Sequence, residues 1–193
     1  MVQKVCIYAA ASSQVDQQYN NAAFSLGKYL ADNSATIVYG GGSTGLMGSL
    51  ADGALSVGGT VIGVIPQFMF DLEWGHKGVS DLIVVDEMHE RKSRMINDSD
   101  AVIALPGGCG TLEELFEAIT LKRLGIYLNP IILINTNGYF NSCIEMLDKC
   151  INEKFMDLRH RKMWDVVNDP SEVLNAINNA DSWTKDARNF AAI

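Results

Sequence analysis

Hydrophobic positions along the chain form short continuous runs that alternate with longer stretches of helical periodicity. The runs at 61–65 and 101–105 are almost entirely apolar, which is typical of parallel strands buried on both faces. This alternation predicts a doubly wound α/β fold with a parallel sheet. The predicted strands are 5–11, 35–39, 60–65, 82–85, 101–105 and 131–134, and the predicted helices are 19–30, 46–57, 88–97, 112–124 and 139–153.

The length and composition favour a single globular domain. A chain of 193 residues falls within the usual range for one domain, and it has no internal repeat or linker-like tract. With 48% hydrophobic and 20% charged residues, it can bury a core and is not intrinsically disordered. We expect the domain to span 1–180, followed by a tail at 181–193. Since no apolar run approaches the ~20 residues of a membrane span, we expect no membrane association.

Charge and cysteine usage narrow the class of function. Lys and Arg total 15 against 23 Asp and Glu, a net charge of -8, which argues against nucleic acid as a partner. The four cysteines have no metal-ligand spacing, so we interpret them as reduced thiols of a cytoplasmic protein. We expect the protein to need no metal or other cofactor. These cysteines are Cys6, Cys109, Cys143 and Cys150.

A glycine-rich turn connects the strand at 101–105 to the following helix. Ligands of doubly wound sheets bind outside the carboxyl ends of the strands, which is where this turn lies. Its three glycines allow close backbone approach, and the helix start offers free N–H groups, so we predict an anion site. In the alternative, Thr111 is an N-cap and Glu114 completes a capping box. A capping box does not explain three glycines, so we favour the functional interpretation.

A second glycine-rich turn, GGGSTGLMG at 40–48, follows the strand at 35–39. It matches G-x-G-x-x-G but follows the second strand, and no acidic residue lies between Asp52 and Asp71 to bind a ribose. It also lacks the lysine of a nucleoside-triphosphate loop, so NAD and ATP are poor candidates. A cradle for the ribose or phosphate of a mononucleotide remains, with a purely structural turn as an equal alternative.

The helix predicted at 88–97 is rich in basic residues. Three of them fall within four positions in an acidic chain, at the edge where a ligand is expected, which favours a receptor for phosphate or carboxylate. The alternative is a solvated helix whose charges pair with its own glutamates. One face of this helix carries Met88, Arg91, Lys92 and Met95.

The irregular segment at 67–80 is either a lid over the same edge of the sheet or a solvated loop.

Together, PGGCGTLEE at 106–114, MHERK at 88–92 and the turn at 40–48 resemble the LOG ("lonely guy") family of cytokinin-activating phosphoribohydrolases. The resemblance covers about residues 5–155. It implies a Rossmann-like homodimer that hydrolyses the N-glycosidic bond of a nucleoside 5'-monophosphate, AMP or N6-substituted AMP, to free base and ribose 5-phosphate. It also implies that Arg91 and Glu114 are catalytic. The implied substrate-binding residues are Gly41, Gly42, Ser43, Met88, Lys92, Pro106, Gly107, Gly108, Gly110 and Thr111.

The chain departs from the family pattern at two places. Residues 9–11 are alanines, where the family has a Cys-Gly-Ser-Ser-like turn, and Cys109 occupies a commonly aromatic position. We predict that Cys109 is a reactive thiol, because it precedes a helix N-terminus. Relatives have been labelled lysine decarboxylase, but no lysine here has a recognisable Schiff-base context.

The chemistry of the reaction agrees with the implied roles. Cleavage of the C1'–N bond builds positive charge on the ribose, which the Glu114 carboxylate could stabilise while orienting the attacking water. Arg91 is too basic for routine proton transfer, so we assign it to positioning or charge neutralisation. The alternatives are a non-catalytic carrier of a nucleotide or of molybdenum cofactor, and an AMP nucleosidase without a hormone role.

The helix predicted at 112–124 also indicates self-association. It carries apolar residues around much of its circumference, more than one sheet face requires, so we expect a homodimer or a dimer of dimers. These residues are Leu115, Phe116, Ala118, Ile119, Leu121 and Leu124.

Overall fold

The chain folds around one parallel sheet of seven strands. A computed structural model describes residues 2–72 and 74–191. The strands are β1 Lys4–Tyr8, β2 Thr36–Tyr39, β3 Val61–Pro66, β4 Asp81–Val85, β5 Ala101–Ala104, β6 Ile131–Ile134 and β7 Asp165–Val167. They lie in the order β4-β3-β2-β1-β5-β6-β7, and all neighbouring pairs are parallel. The predicted doubly wound α/β class is confirmed.

Helices cover both faces of this sheet, because alternate strand residues point to opposite sides. The helices are α1 Gln17–Asp32, α2 Gly45–Leu55, α3 Gln67–Asp71, α4 Met88–Ile96, α5 Cys109–Arg123, α6 Asn141–Asn152 and α7 Val173–Asn179. Val5 and Ile7 join a core with α1, α2 and α7, whereas Cys6 and Tyr8 join a core with α4, α5 and α6. No helix in the described residues is long and apolar enough to cross a membrane.

Several element boundaries differ from the prediction. The first strand ends at Tyr8 rather than at residue 11, and the three alanines after it belong to the irregular connection to the next helix. Strand β7 was not predicted, because three residues carry too little pattern. Helices α3 and α7 were also missed; they have five and seven residues, too short for a clear periodicity.

Helices α1 and α2 pack in direct backbone contact. A methyl group on Gly27 would lie 2.0 Å from the carbonyl oxygen of Leu50, and one on Gly53 would lie 2.1 Å from that of Phe24. This close approach holds the start of α2 against the turn after β1, where the Met47 N–H donates to Ala10 O at 3.1 Å. The glycines therefore help to hold Met47 beside the carboxyl end of β1.

The C-terminal segment packs across the end of α5. The indole of Trp183 donates to Lys122 O at 2.7 Å, and Arg188 Nε donates to Leu124 O at 3.2 Å. Residues Lys185–Phe190 form a 3₁₀ helix. Lys122 O also accepts from the Gly125 N–H at 3.0 Å, so Trp183 adds a second hydrogen bond to that carbonyl. The segment thus packs over the C-terminal end of α5.

Candidate active site

A crevice opens at the carboxyl ends of β1 and β5. The chain runs outward from β1 to β4 on one side and resumes with β5 on the other, so this is the point where the strand order reverses, the usual ligand position in such sheets. The crevice has a volume of about 330 Å³. It is lined by Ala9, Ala10, Ala11, Ser12, Met47, Arg91, Gly108, Gly110, Thr111 and Glu114.

The glycine turn after β5 forms one wall of the crevice. Gly108 is the N-cap of α5, and the first backbone bond of the helix runs from Leu112 N–H to Gly108 O at 3.0 Å. Thr111 is therefore inside the first turn, and the alternative in which Thr111 and Glu114 form a capping box is wrong. A methyl group on Gly107 would lie 2.1 Å from Thr111 Oγ1, so the turn has no room for a side chain there.

Arg91 of α4 and Glu114 of α5 form a buried ion pair at the base of the crevice. Arg91 Nη1 lies 2.9 Å from Glu114 Oε1, and each side chain is 9% exposed. The other guanidinium nitrogens are also engaged, because Nε donates to Val64 O at 3.0 Å and Nη2 donates to Gly40 O at 3.2 Å. The guanidinium thus links the carboxyl ends of β2 and β3 to α5 in a fixed orientation.

The protonation of Glu114 reflects two opposed effects. Burial raises the pKa of its carboxyl above the ordinary value, and the neighbouring Arg91 guanidinium opposes that rise. A second carboxylate, Glu113, adds to the increase. The result is an immobile carboxylate at the crevice wall, the kind of group that can stabilise a developing cation or activate water.

The remaining cations of α4 pair with carboxylates of the chain itself. Lys92 Nζ contacts Glu113 Oε1 at 2.5 Å and Glu117 Oε2 at 3.0 Å, and its hydrogen bond to Glu113 raises its pKa. Arg94 bonds Glu90 one turn earlier on the same helix. The predicted receptor helix therefore contributes Arg91 to the crevice, while Lys92 ties α4 to the outer side of α5.

The second glycine turn is joined to the segment at 67–80. Both the N–H and the hydroxyl of Ser43 donate to Trp74 O, at 3.0 and 3.1 Å, and the N–H of His76 donates to Gly41 O at 2.9 Å. The segment is thus attached to the turn at Trp74 and His76, while Phe68, Phe70 and Leu72 remain exposed. A side cavity of about 130 Å³ lies between them, lined by Ala11, Gly40, Gly42, Thr44, Met47, Ile65, Met69, Trp74 and Arg91.

The fold brings some of the predicted site residues together and separates others. Arg91, Glu114, Gly108, Gly110 and Thr111 share the crevice, and Gly42 lines the side cavity with Arg91. The assignment of all of these residues to substrate or catalysis remains a prediction. The other candidates lie around the crevice: Pro106 and Gly107 are buried beneath the turn, Gly41 and Ser43 bond to 74–76, Lys92 pairs with α5, and Met88 is exposed.

Residue-by-residue reasoning missed the lining residues Ala9 to Ser12 and Met47. The position of the alanines was a usable signal, since they follow β1 at its carboxyl end, where ligands are expected. Met47 gave no signal of its own, because a methionine in a helix is usually a core residue. Cys109, predicted to be reactive, is exposed as the first residue of α5. In the described ranges, no group of three or more His, Cys, Asp or Glu side chains is arranged to hold a metal ion.

The fold and the crevice define an α/β protein with a candidate ligand site at the point where the strand order of its sheet reverses. A family model described as "Possible lysine decarboxylase" matches residues 47–177. Relatives are the "Cytokinin riboside 5'-monophosphate phosphoribohydrolase LOG1" of Arabidopsis thaliana, 41% identical over 87% of this chain and 78% of that protein, and the "Probable cytokinin riboside 5'-monophosphate phosphoribohydrolase LOGL6" of Oryza sativa subsp. japonica, 40% identical over 90% and 70%. The chain belongs to this LOG family, as the motifs indicated.

Solved structures with the same fold carry other functions in their names. The molybdenum cofactor carrier protein of Chlamydomonas reinhardtii matches with a TM-score of 0.70 at 20% identity, covering 93% of this chain and 98% of that one. The molybdenum cofactor binding protein of Rippkaea orientalis matches with a TM-score of 0.68 at 23% identity, covering 92% and 96%. At these identities the likeness shows the fold alone.

Proposed function

We propose that this protein hydrolyses the N-glycosidic bond of nucleoside 5'-monophosphates, AMP or N6-substituted AMP, to free base and ribose 5-phosphate. The observation that carries the proposal is the Arg91–Glu114 pair, buried beside the open helix start at Gly108. A helix start that can bind a phosphate and a fixed carboxylate thus lie in one crevice. The names of the LOG relatives describe the same class of activity.

Each group in the crevice has a different role in the proposed hydrolysis. The 5'-phosphate binds the N–H groups of the first turn of α5, where the helix dipole favours an anion. As the C1'–N bond breaks, its electron pair leaves with the base, and Glu114 stabilises the positive charge on the ribose. The oxygen of water bonds to C1', and a water proton ends on the base nitrogen. Arg91 orients Glu114 and does not transfer a proton.

Two further properties belong to the same proposal. The outer side of α5 leaves Phe116 39% and Leu124 42% exposed, which supports a homodimer through this helix. The four cysteines are all free thiols, which supports a cytoplasmic location. The alternative, a non-catalytic carrier, has the fold likeness in its favour but gives no role to a buried carboxylate at the crevice.

The substitution Glu114→Gln tests the catalytic assignment. Gln keeps an oxygen that can accept from Arg91 but loses the charge, so kcat should fall by about 10²- to 10⁴-fold while AMP binding is retained. Loss of the charge leaves the buried guanidinium uncompensated, so the free energy of unfolding should also drop by about 1–3 kcal/mol. Base release, AMP affinity and urea unfolding are measured beside wild type and Glu117→Gln, a carboxylate on the outer side of α5.

The outcomes separate the two candidate functions. Wild type that releases adenine from AMP, with Glu117→Gln equally active and Glu114→Gln inactive, supports the hydrolase. Tight AMP binding without base release by wild type supports the carrier. Near-normal turnover by Glu114→Gln would remove the carboxylate from the mechanism.

A further inference from the structure

A tyrosine in the segment after the neighbouring strand β6 holds the glycine turn of the crevice. Tyr139 lies after β6, and its hydroxyl donates to Gly107 O at 2.5 Å. Gly107 is buried, whereas the next residue, Gly108, is exposed and lines the crevice. The hydrogen bond therefore acts on the peptide group that leads directly into the proposed phosphate site.

The geometry of a peptide group gives this bond a consequence for the substrate. In a planar trans peptide, the carbonyl of one residue and the N–H of the next point in opposite directions. With the Gly107 carbonyl held by Tyr139, the Gly108 N–H is directed away from the tyrosine. We propose that Tyr139 is a positioning residue that aims the Gly108 N–H at the 5'-phosphate, an inference that rests on the proposed function.

A glycine peptide needs such a restraint. Gly108 has no side chain, and apart from its two chain neighbours nothing lies within 4 Å of the place where its Cβ would be. Thr111 packs beneath Gly107 but leaves the carbonyl free to bond. The Tyr139 hydroxyl is the side-chain donor that the structure places on this carbonyl.

A buried asparagine and two aromatic rings support Tyr139, which is itself 39% exposed. Asn135 is buried; its Oδ1 accepts from the Phe140 N–H at 2.7 Å and its Nδ2 donates to Asn141 Oδ1 at 2.9 Å. The Tyr139 ring packs edge-on against Tyr19 and Phe140, with centroid distances of 5.9 and 5.2 Å. A hydroxyl held in this way can fix the orientation of a flexible partner.

The substitution Tyr139→Phe removes the hydroxyl and keeps the ring. The Kd for ribose 5-phosphate, measured by calorimetry, should rise about three- to tenfold, the usual effect of one hydrogen bond. The KM for AMP should rise by the same factor, while kcat and the Kd for adenosine, which lacks the phosphate, stay within about twofold. Tyr19→Phe is the matched control, since it removes a hydroxyl from the ring that touches Tyr139, and it should leave all four values unchanged.

Three results would overturn the role of Tyr139: an unchanged Kd for ribose 5-phosphate, an equal loss for adenosine, or a fall in kcat at constant KM. Wild type that does not bind ribose 5-phosphate would overturn it as well. The proposed hydrolase can fail separately, because absence of adenine release from AMP leaves the comparison of Kd values intact.

Discussion

Arg91 and Glu114 show how a single contact between two helices can define a site. Both side chains are 9% exposed, so each charge has lost most of its hydration and depends on the other. Removing one member of such a pair is costly, because the remaining charge stays buried without compensation. The hydrogen bonds from Arg91 to Val64 O and Gly40 O keep the guanidinium in place and make the orientation of Glu114 independent of substrate.

The pH dependence of activity should report the environment of Glu114. Burial raises the pKa of this carboxyl, and the reaction needs its charged form, so activity should fall as the pH drops through that raised value. The acidic limb of the kcat/KM profile should therefore lie above the ordinary glutamate value of about 4.3. The measurement is kcat/KM for AMP at a series of pH values.

The residual activity of Glu114→Gln is the control for this profile. It shares every titration of the substrate and lacks only the carboxyl, so its acidic limb should be shifted or lost. An identical limb in both proteins would assign the titration to the substrate phosphate instead.

Among the elements, α1 and α2 depend on glycine for their contact. Their backbones approach so closely that a methyl group on Gly27 has no space beside Leu50 O. The same contact holds the N-terminal end of α2, with Met47, against the turn after β1. Helix packing on one face of the sheet therefore influences the crevice at its edge.

Gly27→Ala tests this packing. The added methyl group meets backbone, which cannot rotate aside, so the free energy of unfolding should fall by about 1–3 kcal/mol or more. Gly110→Ala is the matched control, because nothing outside its chain neighbours and the backbone of its own helix lies within 4 Å of its Cβ position, and alanine favours the helix. Urea unfolding should show the first variant less stable than wild type and the second equal or slightly more stable. Equal stabilities for wild type and Gly27→Ala would contradict the backbone contact.

For the whole molecule, the outer side of α5 is the surface with the clearest consequence. Leu115, Ala118 and Ile119 of this helix are buried against the sheet, whereas Phe116 remains 39% exposed on the opposite side. The helix carries the crevice at its start and the C-terminal segment at its end. A second copy packed on the outer side would hold the helix that carries Glu114.

Phe116→Glu should weaken the proposed homodimer, because association would bury a charge without a partner. Light scattering coupled to size-exclusion chromatography should give twice the chain mass of 21.1 kDa for wild type and a mass near that of one chain for the variant. Phe24→Glu is the control, since Phe24 is 40% exposed on α1 and should leave the dimer intact. A monomeric wild type would contradict the dimer, and equal disruption by both variants would place the interface elsewhere.

The sequence alone was sufficient for the class of fold and for the positions of most elements. Runs such as 101–105 and the helical spacing around Leu115 reflect burial and backbone hydrogen bonding between near neighbours in the chain, which a local pattern records. The glycines at 107, 108 and 110 marked the turn at the crevice, because a tight turn is also a property of residues adjacent in the chain. Where the pattern was short, as in β7, or where a glycine replaced the expected cap, as at Gly108, prediction failed.

The tertiary structure decided which of these residues meet. Arg91 and Glu114 are 23 positions apart, and Tyr139 and Gly107 are 32 apart. Tyr139 reaches Gly107 because β6 and β5 are neighbouring strands, whereas Arg91 reaches Glu114 because α4, which follows the edge strand β4, packs back against β3 and β1, next to β5. It also decided that Ser43 bonds to Trp74 and that Lys92 pairs with α5, although the family resemblance implied ligand contacts for both. Such pairings depend on distances in space, and hydrophobic periodicity carries no record of them.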